Sequence, residues 1–219
     1  MSGDRTKCGP EADEAASLEV EVLETAVGYG GFFRLDVHRL RHRRFDGRMS
    51  AIITREILER GNAVAVLPYD PRRDEVLLIR QFLPGAYFGG RPPRPLQIIA
   101  GMVGAGETEE DVARREAMEE ANCPIGRLER AHAFLPSPGG SSERVVVFCA
   151  EADLSAAGGV HGLAEEHEDI RAEVLPADEA IRLLDAGVIE AGPAVLGLAW
   201  FARHRERLRG TWRNASSPG

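Results

Sequence analysis

The stretch Gly101–Cys123, GMVGAGETEEDVARREAMEEANC, decides the fold, because a glycine-rich turn leads there into a short acidic helix. The spacing predicts a helix from Glu109 to Ala121, with Thr108 at the N-cap position and Asp111 three residues further on. A narrow apolar stripe on this helix would pack against a sheet. Its members are Val112, Ala113, Ala117 and Ala121.

Three glutamates of this stretch, Glu116, Glu119 and Glu120, stand three and four residues apart and therefore share one side of the predicted helix. Like charges at this spacing cost about 0.2–0.5 kcal/mol per pair. A bound cation would offset that cost, since carboxylate oxygens are the ligands that Mg²⁺ and Mn²⁺ accept. A solvated acidic face is the alternative, and the three glutamates alone do not decide between the two.

The composition of the whole chain limits the classes of function. Its 219 residues are 43% hydrophobic and 28% charged, with a net charge of −8. These values predict a globular protein with a real core, as one domain or as one domain with an appendage. The acidic balance argues against nucleic acid as the main partner, because binding to a phosphate backbone needs a basic face. A small phosphate substrate is compatible with it if metal ions bridge the two negative parties.

Cysteine usage and apolar runs indicate the compartment. Cys8, Cys123 and Cys149 are odd in number and lack metal or disulfide spacing, which predicts a reducing, cytoplasmic environment. Residues 1–16 are polar, without the apolar core of a signal peptide, and are predicted to be a disordered leader. The longest apolar stretch, residues 193–202, is too short to cross a bilayer, so no membrane partner is expected.

Residues 17–57 are predicted to form an N-terminal antiparallel β subdomain. Alternating apolar residues from Leu18 indicate a first strand, a second pattern spans Phe32–Phe45, and Asp46-Gly47 predicts a hairpin turn. The returning strand would cover Arg48–Ile57. Arginines are concentrated before the turn, at Arg39, Arg41, Arg43 and Arg44. A charged edge strand and a nucleic-acid patch are both open interpretations, and the acidic total favours the first.

Residues 58–219 are predicted to form the larger domain, an α/β sandwich with a mixed sheet and helices on either side. Apolar runs predict its strands at residues 62–68, 75–81, 96–100, 130–135, 144–150 and 170–175. Two helices are expected to end the chain, over residues 177–186 and 193–208. The Gly/Pro-rich segment 84–95 and the acidic segment 158–169 are predicted to be loops. Loops as long as the acidic one are often functional when they occur inside a compact domain.

Six residues of the opening stretch stand in fixed register as G-x5-E-x7-R-E-x-x-E-E. They are Gly101, Glu107, Arg115, Glu116, Glu119 and Glu120. This pattern resembles the signature box of the Nudix hydrolases, which cleave a nucleoside diphosphate linked to another group. The resemblance implies a Nudix-type α/β/α sandwich. One position departs, since Asn122 stands where the family usually has glycine; asparagine tolerates the left-handed turn that must end the helix there.

The resemblance covers nearly the whole chain and is to the ADP-ribose pyrophosphatase branch of that family. It rests on GGFF at residues 30–33, on Arg55-Glu56 followed by Glu59-Arg60-Gly61, on Pro138, and on the segments SPGGSSE and GLAEEHEDI. That branch is known as a homodimer whose N-terminal strands reach across to the partner. The resemblance therefore implies that residues 17–57 dimerise the protein by exchanging strands.

Roles for individual residues are implied by the matching positions. The metal ligands would be Glu116, Glu120, Glu168 and the carbonyl of Ala100. Glu119 would support the metal or bind it directly, and Arg115 belongs to the same catalytic group. Glu166 matches the general base, with Glu165 as its rival. The substrate-binding positions would be Phe32, Arg55, Glu56, Met102, Ser137, Gly139 and Glu143, of which the first three match positions that hold the adenosine part, partly from the second subunit.

The reaction implied by the resemblance is Mg²⁺-dependent hydrolysis of ADP-ribose to AMP and ribose 5-phosphate, with Mn²⁺ as an alternative metal. Two departures bear on the substrate: Leu83 replaces a common arginine, and Gln97 replaces a glutamate. An aliphatic chain cannot make the bidentate phosphate contact of an arginine, so Arg80, Arg91 or Arg94 is a candidate to replace it. The alternatives are another nucleoside diphosphate sugar, such as GDP-mannose, and a module that binds ADP-ribose without cleaving it.

Overall fold

The first three strands form an antiparallel sheet of their own. The computed structural model describes residues 19–163, 165 and 167–214, and its first sheet has the order β1 (Val20–Gly30), β2 (Arg34–His42), β3 (Ile53–Glu59). The alternation of apolar and polar residues that begins at Leu18 in the sequence ends after Val22. The strand β1 nevertheless continues to Gly30, and its pairing with β2 contains two register shifts of the kind made by β-bulges. The predicted antiparallel sheet is confirmed, and the predicted leader lies outside the described residues.

The arginines near the hairpin turn are paired with acidic residues within this sheet. On β2, Arg39 and Arg41 bind glutamates of the neighbouring strand β1, with N–O distances of 3.0 Å to Glu24 and 2.7 Å to Glu21. Beside the turn, Arg48 binds Asp46 at 2.7 Å. These pairs neutralise the positive charge locally. The ion pairs argue against the nucleic-acid patch, but the predicted charged edge strand is wrong, because β2 is paired on both sides and lies between β1 and β3.

The chain divides into two compact units, and the first boundary between them follows Arg60. Residues 137–142 belong to the first unit, because Leu58 N–H donates to the Gly140 carbonyl at 2.8 Å and Leu58 forms an isolated bridge with Ser141. The second unit comprises residues 61–136 and 143–219. The boundary lies a few residues beyond the predicted one, since β3 continues to Glu59.

The second unit is built on a mixed sheet of eight strands. The path through the sheet is β10-β11-β5-β4-β9-β8, with β6 paired to β5 and β7 paired to β4, and β4 runs parallel to β9. The strands are β4 (Ala63–Asp70), β5 (Glu75–Arg80), β6 (Leu96–Gln97), β7 (Ile99–Met102), β8 (Ile125–Phe134), β9 (Val145–Ala152), β10 (Gly159–His161) and β11 (Ile170–Pro176). The predicted mixed sheet is confirmed.

Helices cover both faces of this sheet. They are α1 (Pro84–Phe88), α2 (Glu109–Ala121), α3 (Ala177–Asp185) and α4 (Gly192–Asn214). One buried cluster joins the sheet to α3 and α4, and a second joins the other face to α2. This is the α/β/α sandwich expected from the sequence. None of the helices in the described part of the chain is long and apolar enough to cross a membrane.

Several segments differ from the predictions. The strand β3 begins at Ile53 instead of Arg48, and β8 begins at Ile125 instead of Arg130. The loop predicted over residues 84–95 contains the short helix α1, because Pro84 fixes a helical φ at its first turn. The acidic loop contains β10, whose pairing with β11 is a long-range contact that local sequence does not encode. The last helix continues beyond residue 208 to Asn214, and its buried Trp212 packs in the same cluster as α3.

The helix α2 has the ends that its sequence predicts. The Thr108 hydroxyl accepts from Asp111 N–H at 3.2 Å while the Asp111 carboxylate accepts from Thr108 N–H at 3.3 Å, which completes a capping box. Asn122 ends the helix in the left-handed conformation with φ of 45°. The predicted apolar stripe is buried in full. These local features determine where α2 begins and ends and which of its faces is buried.

A buried ionic network fastens α4 to the turn between β4 and β5. The Asp74 carboxylate accepts from Arg205 Nη2 at 2.6 Å, from Arg209 Nη1 at 3.0 Å and from the Tyr69 hydroxyl at 2.8 Å. Both side chains of the Asp74–Arg205 pair are largely buried. Hydrogen bonds from Arg205 lower the pKa of Asp74 below its ordinary value.

We expect Arg205→Met to destabilise the protein by about 2 kcal/mol, since Asp74 loses its main partner but keeps Arg209. Urea unfolding measures this loss. Because the folded-state pKa of Asp74 is depressed, the contribution is present above about pH 4 and is lost as the pH falls further. The matched control is Arg182→Met, which removes an exposed pair with Glu179 and should cost under about 1 kcal/mol. Equal losses in the two variants would contradict the assignment.

Candidate active site

A cavity of about 340 Å³ lies in the second unit, where α2 meets β7 and the residue after β5. Most of its lining residues are predicted to bind metal or act in catalysis, and Met102 is a predicted substrate-binding residue. The full lining is Gln81, Ala100, Gly101, Met102, Arg115, Glu116, Glu119, Glu120 and Glu168. We call this space the glutamate cavity. The structure thus brings together the predicted ligands from three separate segments.

The guanidinium of Arg115 connects four acceptors around the cavity. Its Nε donates to Glu107 Oε1 at 2.8 Å, and Nη1 donates to Glu116 Oε1 at 2.7 Å and to Glu119 Oε2 at 2.9 Å. Its Nη2 donates to the Met102 carbonyl at 3.3 Å. Glu107 is in turn held by the Gly104 N–H at 2.8 Å. The arginine of the box therefore fixes the positions of its glutamates.

Glu120 is the most deeply buried carboxylate of the cavity, with 2% of the residue exposed. Its Oε2 accepts from the Ala100 N–H at 3.1 Å, and Oε1 accepts from Gln81 Nε2 at 3.4 Å. These two donors hold the carboxylate beside the backbone of β7. The carbonyl oxygen of Ala100 is the backbone atom of this residue that can coordinate a cation.

Gly101 is required by the close approach of Glu116 to β7. A Cβ atom built on Gly101 would overlap the Oε1, Cδ and Cγ atoms of Glu116. The nearest atoms belong to the far end of a side chain, so a substitution would displace the carboxylate and leave the strand in place. The glycine at the start of the box is therefore explained by packing against Glu116 and not by its φ angle.

Glu168 is placed by a turn of the acidic segment. Its Oε2 accepts from Leu163 N–H at 3.1 Å, and its own N–H donates to the Leu163 carbonyl at 3.2 Å. Gly162 enters this turn with φ of +110°, where a Cβ would stand 2.7 Å from Glu168 Cβ. The Gly162 N–H donates to the Glu119 carbonyl at 3.3 Å, which ties the turn to α2. These contacts bring Glu168 to the helix glutamates.

Burial and mutual repulsion shift the ionisation of the glutamates. Burial raises the pKa of Glu120 to about 8, and the neighbouring charges of Glu116 and Glu168 add to the rise. Burial likewise raises the pKa of Glu116, although its hydrogen bond from Arg115 opposes the shift. The negative charge of the glutamates in the cavity thus exceeds the single positive charge of Arg115. A bound metal ion would be stabilising under this condition.

The donor set fits a hard divalent cation. Carboxylates of Glu116, Glu120 and Glu168 and the carbonyl of Ala100 are oxygen donors of the kind that Mg²⁺ and Mn²⁺ accept. Among the described residues, no three acidic, histidine or cysteine side chains are already gathered as a cation site. Arg115 holds Glu116 and Glu119 in ion pairs. The residues therefore fit a divalent cation because they supply oxygen donors and because they line the same cavity.

The shifted pKa of Glu120 predicts how the metal-free protein responds to pH. The folded state holds the Glu120 proton more tightly than the unfolded chain, so the associated stability is full below about pH 4 and is lost as the pH rises through about 8. We expect the melting temperature of the protein in EDTA to fall between about pH 5 and pH 8. The fall should be smaller for Glu120→Gln, and identical slopes in the two proteins would contradict the prediction.

The remaining predicted site residues lie elsewhere. Phe32, Arg55, Glu56, Ser137 and Gly139 belong to the first unit. Arg55 and Glu56 are consecutive on β3 and therefore project to opposite faces of its sheet, which excludes a simple ion pair between neighbours.

The other predicted site residues are Glu143, Glu166 and its rival Glu165. Glu143 is in the second unit and is buried, with 8% of the residue exposed. Glu166, the predicted general base, lies outside the described residues. Its rival Glu165 is exposed.

Reasoning from sequence missed two residues that shape the cavity. Gln81 donates to Glu120, and the signal for it was a lone amide directly after the apolar strand β5. Gly162 permits the turn that positions Glu168, and its signal was a glycine six residues before a predicted ligand. Both contacts join residues that are far apart in sequence or depend on a positive φ, so neither follows from periodicity.

The structure also locates the departures from the family pattern. Leu83 is the N-cap residue of α1, and Gln97 pairs with Ile79 across β5 and β6. Neither residue lines the glutamate cavity. The candidate replacement arginines do not line it either, and each has an acidic neighbour; the pairs are Arg80–Glu173, Arg91–Glu190 and Arg94–Asp169.

Comparison with known proteins agrees with this geometry. The NUDIX domain model matches residues 59–195. The chain is 45% identical over 194 residues to the ADP-ribose pyrophosphatase of Escherichia coli K12, covering 89% of this chain and 93% of that protein. It is 30% identical over 190 residues to the GDP-mannose pyrophosphatase of Enterobacter sp. strain 638, covering 84% and 96%.

A solved structure described as an ADP compounds hydrolase has the same fold. It matches with a TM-score of 0.64 at 19% identity and covers 89% of this chain and 97% of that chain. Together with the box residues gathered at one cavity, these matches define the class of protein. The chain belongs to the NUDIX family. The predicted resemblance to its ADP-ribose pyrophosphatase branch is confirmed.

Proposed function

We propose that this protein hydrolyses ADP-ribose to AMP and ribose 5-phosphate with Mg²⁺ as its cofactor. The observation that carries the proposal is the glutamate cavity, where the box residues meet Glu168 and the Ala100 backbone. The similarity to an ADP-ribose pyrophosphatase over nearly the full length of both chains supports the choice of substrate. The chain is a hydrolase, since it belongs to the NUDIX family and is 45% identical to an ADP-ribose pyrophosphatase over 89% of its length.

The metal would be held by Glu116, Glu120, Glu168 and the carbonyl of Ala100, with Mn²⁺ as the alternative ion. When bound, it would neutralise the diphosphate and stabilise the charge that develops at the phosphorus under attack. Glu119 would support this group from its bond to Arg115. Arg115 Nη1 donates to both Glu116 and Glu119 and so offsets part of their negative charge.

Glu166 would act as the general base that orients and deprotonates the attacking water. Glu168, two residues further along the sequence, lines the glutamate cavity, which supports this assignment. Such a base contributes about 10²–10⁴-fold to the rate. Glu165 is the competing candidate, and the two are separated by substitution.

The substrate would be bound partly by residues of the first unit. Phe32 is exposed, as a residue that stacks on adenine must be, and Arg55 and Glu56 are exposed on β3. Their exposure is compatible with a site to which a second copy of the chain contributes. Met102, Ser137, Gly139 and Glu143 complete the proposed substrate-binding set.

We propose that the protein is a homodimer joined through its N-terminal strands. Every residue of β1 is exposed, including Val22, Val27 and Tyr29, and β1 is an edge strand of eleven residues. A long apolar edge without cover invites pairing with another chain. Because the thiols of Cys123 and Cys149 are free and buried, we place this dimer in the reducing cytoplasm.

The dimer is tested by light scattering coupled to size-exclusion chromatography. The wild type should elute as a dimer, and Val27→Lys should shift it towards the monomer because a charge would be buried at the interface. The matched control is Val188→Lys, an exposed valine of the second unit, which should leave the dimer intact. A monomeric wild type would contradict the proposal.

The substrate is tested by incubation of the protein with Mg²⁺ and a panel of ADP-ribose, other ADP-sugars, GDP-mannose and NADH, followed by identification of the products. We expect ADP-ribose to give the highest kcat/KM and to yield AMP and ribose 5-phosphate. GDP-mannose is the second candidate, because Leu83 removes the usual arginine and a GDP-mannose pyrophosphatase is 30% identical. Preference for GDP-mannose would replace the proposed substrate, and binding of ADP-ribose without products would identify a sensing module.

A further inference from the structure

A second charged cavity, of about 250 Å³, lies at the edge of the eight-stranded sheet. Three of its five lining residues are arginines. The lining is Arg80, Arg94, Val160, Asp169 and Arg171, all in the second unit. We call this space the arginine cavity. None of its residues lines the glutamate cavity.

The arginine cavity opens on the other face of the sheet from α2. Arg80 and Arg171 are direct cross-strand partners between β5 and β11. Their neighbours Ile79 and Ala172 are also paired and are buried in the cluster that includes α2. Because successive side chains of a strand alternate between faces, Arg80 and Arg171 project away from α2. The glutamates of α2 and these arginines are therefore on opposite sides of the same strands.

The arginines of this cavity have unused hydrogen-bond donors. Arg80 is paired with Glu173, with Nε to Oε1 at 3.0 Å. The nearest approach of Arg94 to Asp169 is 3.7 Å, which is too long for a hydrogen bond. Within the described residues, the guanidinium of Arg171 makes no ion pair or hydrogen bond. Two guanidinium forks are thus open to an acceptor from outside the chain.

Like charges directly opposite each other on adjacent strands destabilise a sheet. The pair Arg80–Arg171 is such an arrangement, and Glu173 compensates only one member of it. An anion bound between the two would remove the repulsion. Guanidinium forks match the geometry of phosphate oxygens and form two parallel hydrogen bonds with them. The cavity volume of about 250 Å³ suits a phosphoryl group with a small substituent.

We propose that the arginine cavity is a second ligand site, which binds the dianionic phosphoryl group of inorganic phosphate or of a small phosphate monoester. The site is separate from the glutamate cavity and needs no metal ion. Arg171 and Arg94 supply the open donors, and Arg80 closes the third side.

The two cavities are connected through consecutive residues. Arg80 lines the arginine cavity and Gln81 donates to Glu120, while Asp169 lines the arginine cavity and Glu168 lines the glutamate cavity. A phosphoryl group that displaces Asp169 from Arg94 would therefore shift the segment that carries Glu168. On the proposed function, phosphate would change kcat without competing with the substrate.

Binding is tested on the metal-free full chain in EDTA, so that this test does not depend on activity. The melting temperature is measured against inorganic phosphate, and in a second series against ribose 5-phosphate, with ionic strength held constant by NaCl. We expect a saturable rise for the wild type in at least one series, and the lower half-saturation concentration identifies the source of the phosphoryl group. Arg171→Gln should raise that concentration by about tenfold or more. For each variant, the rise in melting temperature is measured relative to the melting temperature of the same variant without phosphate.

Two control variants make the result specific. Arg91→Gln removes an arginine of the same loop as Arg94, but one that pairs with Glu190 outside the cavity, and should keep wild-type half-saturation. Glu120→Gln should keep it as well, because Glu120 contacts none of the residues that line the arginine cavity. Equal half-saturation in the wild type and in Arg171→Gln, or no saturable rise at all, would overturn the site.

The coupling is tested by steady-state kinetics of the hydrolase with added phosphate at saturating ADP-ribose. We expect phosphate to change kcat of the wild type and to leave kcat of Arg171→Gln unchanged. Inhibition that is purely competitive, and equal in both proteins, would overturn the coupling. If ADP-ribose proved not to be a substrate, the melting series would still decide whether the anion site exists.

Discussion

Replacement of Glu166 by glutamine is expected to lower kcat for ADP-ribose by about 10²–10⁴-fold and to leave metal affinity close to that of the wild type. The amide keeps the size of the side chain but cannot accept a proton from water. The carboxylates of α2 that we propose as metal ligands are not altered by the change. Steady-state kinetics with saturating Mg²⁺ gives kcat, and a titration with Mn²⁺ followed by electron paramagnetic resonance gives the affinity.

The neighbouring Glu165→Gln is the matched control, because it changes the same charge one residue away on an exposed side chain. We expect its kcat to stay within a few-fold of the wild type. If Glu165→Gln were the inactive variant and Glu166→Gln the active one, the roles of the two residues would be exchanged. Near-normal turnover in both would remove the base from this segment.

Gly101→Ala is the second substitution with a large expected effect. The added methyl group occupies the space of the Glu116 carboxylate, so that carboxylate must leave its place beside β7. We expect metal affinity to fall by about 10–100-fold, and kcat/KM to fall with it. The strand itself should persist, since Gly101 does not have a positive φ and the overlapping atoms belong to a flexible side chain.

Gly85→Ala is the control for Gly101→Ala, because a Cβ at Gly85 meets no atom within 4 Å. This variant should keep wild-type metal affinity and activity. Circular dichroism and the melting temperature then separate a displaced carboxylate from a loss of fold. Wild-type Mn²⁺ affinity in Gly101→Ala would show that Glu116 does not need its observed position.

The sequence was sufficient to predict the helix that carries the site. The periodicity of Val112, Ala113 and Ala117, the cap at Thr108 and the left-handed residue at Asn122 all act within one or two turns. The mixed sheet and its two covering layers were also predictable, because buried strands appear as apolar runs of the right length. These features depend on neighbours in sequence, where the physical rules are strongest.

The contacts that shape the cavity could not be predicted in the same way. The bond from Gln81 to Glu120 joins residues 39 positions apart, and the short strand β10 exists only through its pairing with β11. The reason for Gly101 became visible only when the position of Glu116 was known. Such features depend on how distant elements pack, and no local pattern encodes them.

The arginines proposed to replace the one missing at position 83 also show that contacts between distant residues do not follow from local sequence. The sequence suggested that Arg80, Arg91 or Arg94 replaces the arginine missing at position 83. The structure gives each of them an acidic neighbour and places none of them at the glutamate cavity.

The central claim is that carboxylates on one short helix hold divalent cations against a diphosphate. Crystals of the protein soaked with Mn²⁺ and measured at a wavelength where manganese scatters anomalously test it most directly. The account predicts an anomalous peak about 2.1 Å from the oxygens of Glu116 and Glu120, and its loss in Glu120→Gln. A fully soaked wild-type crystal without a peak beside these residues would contradict it.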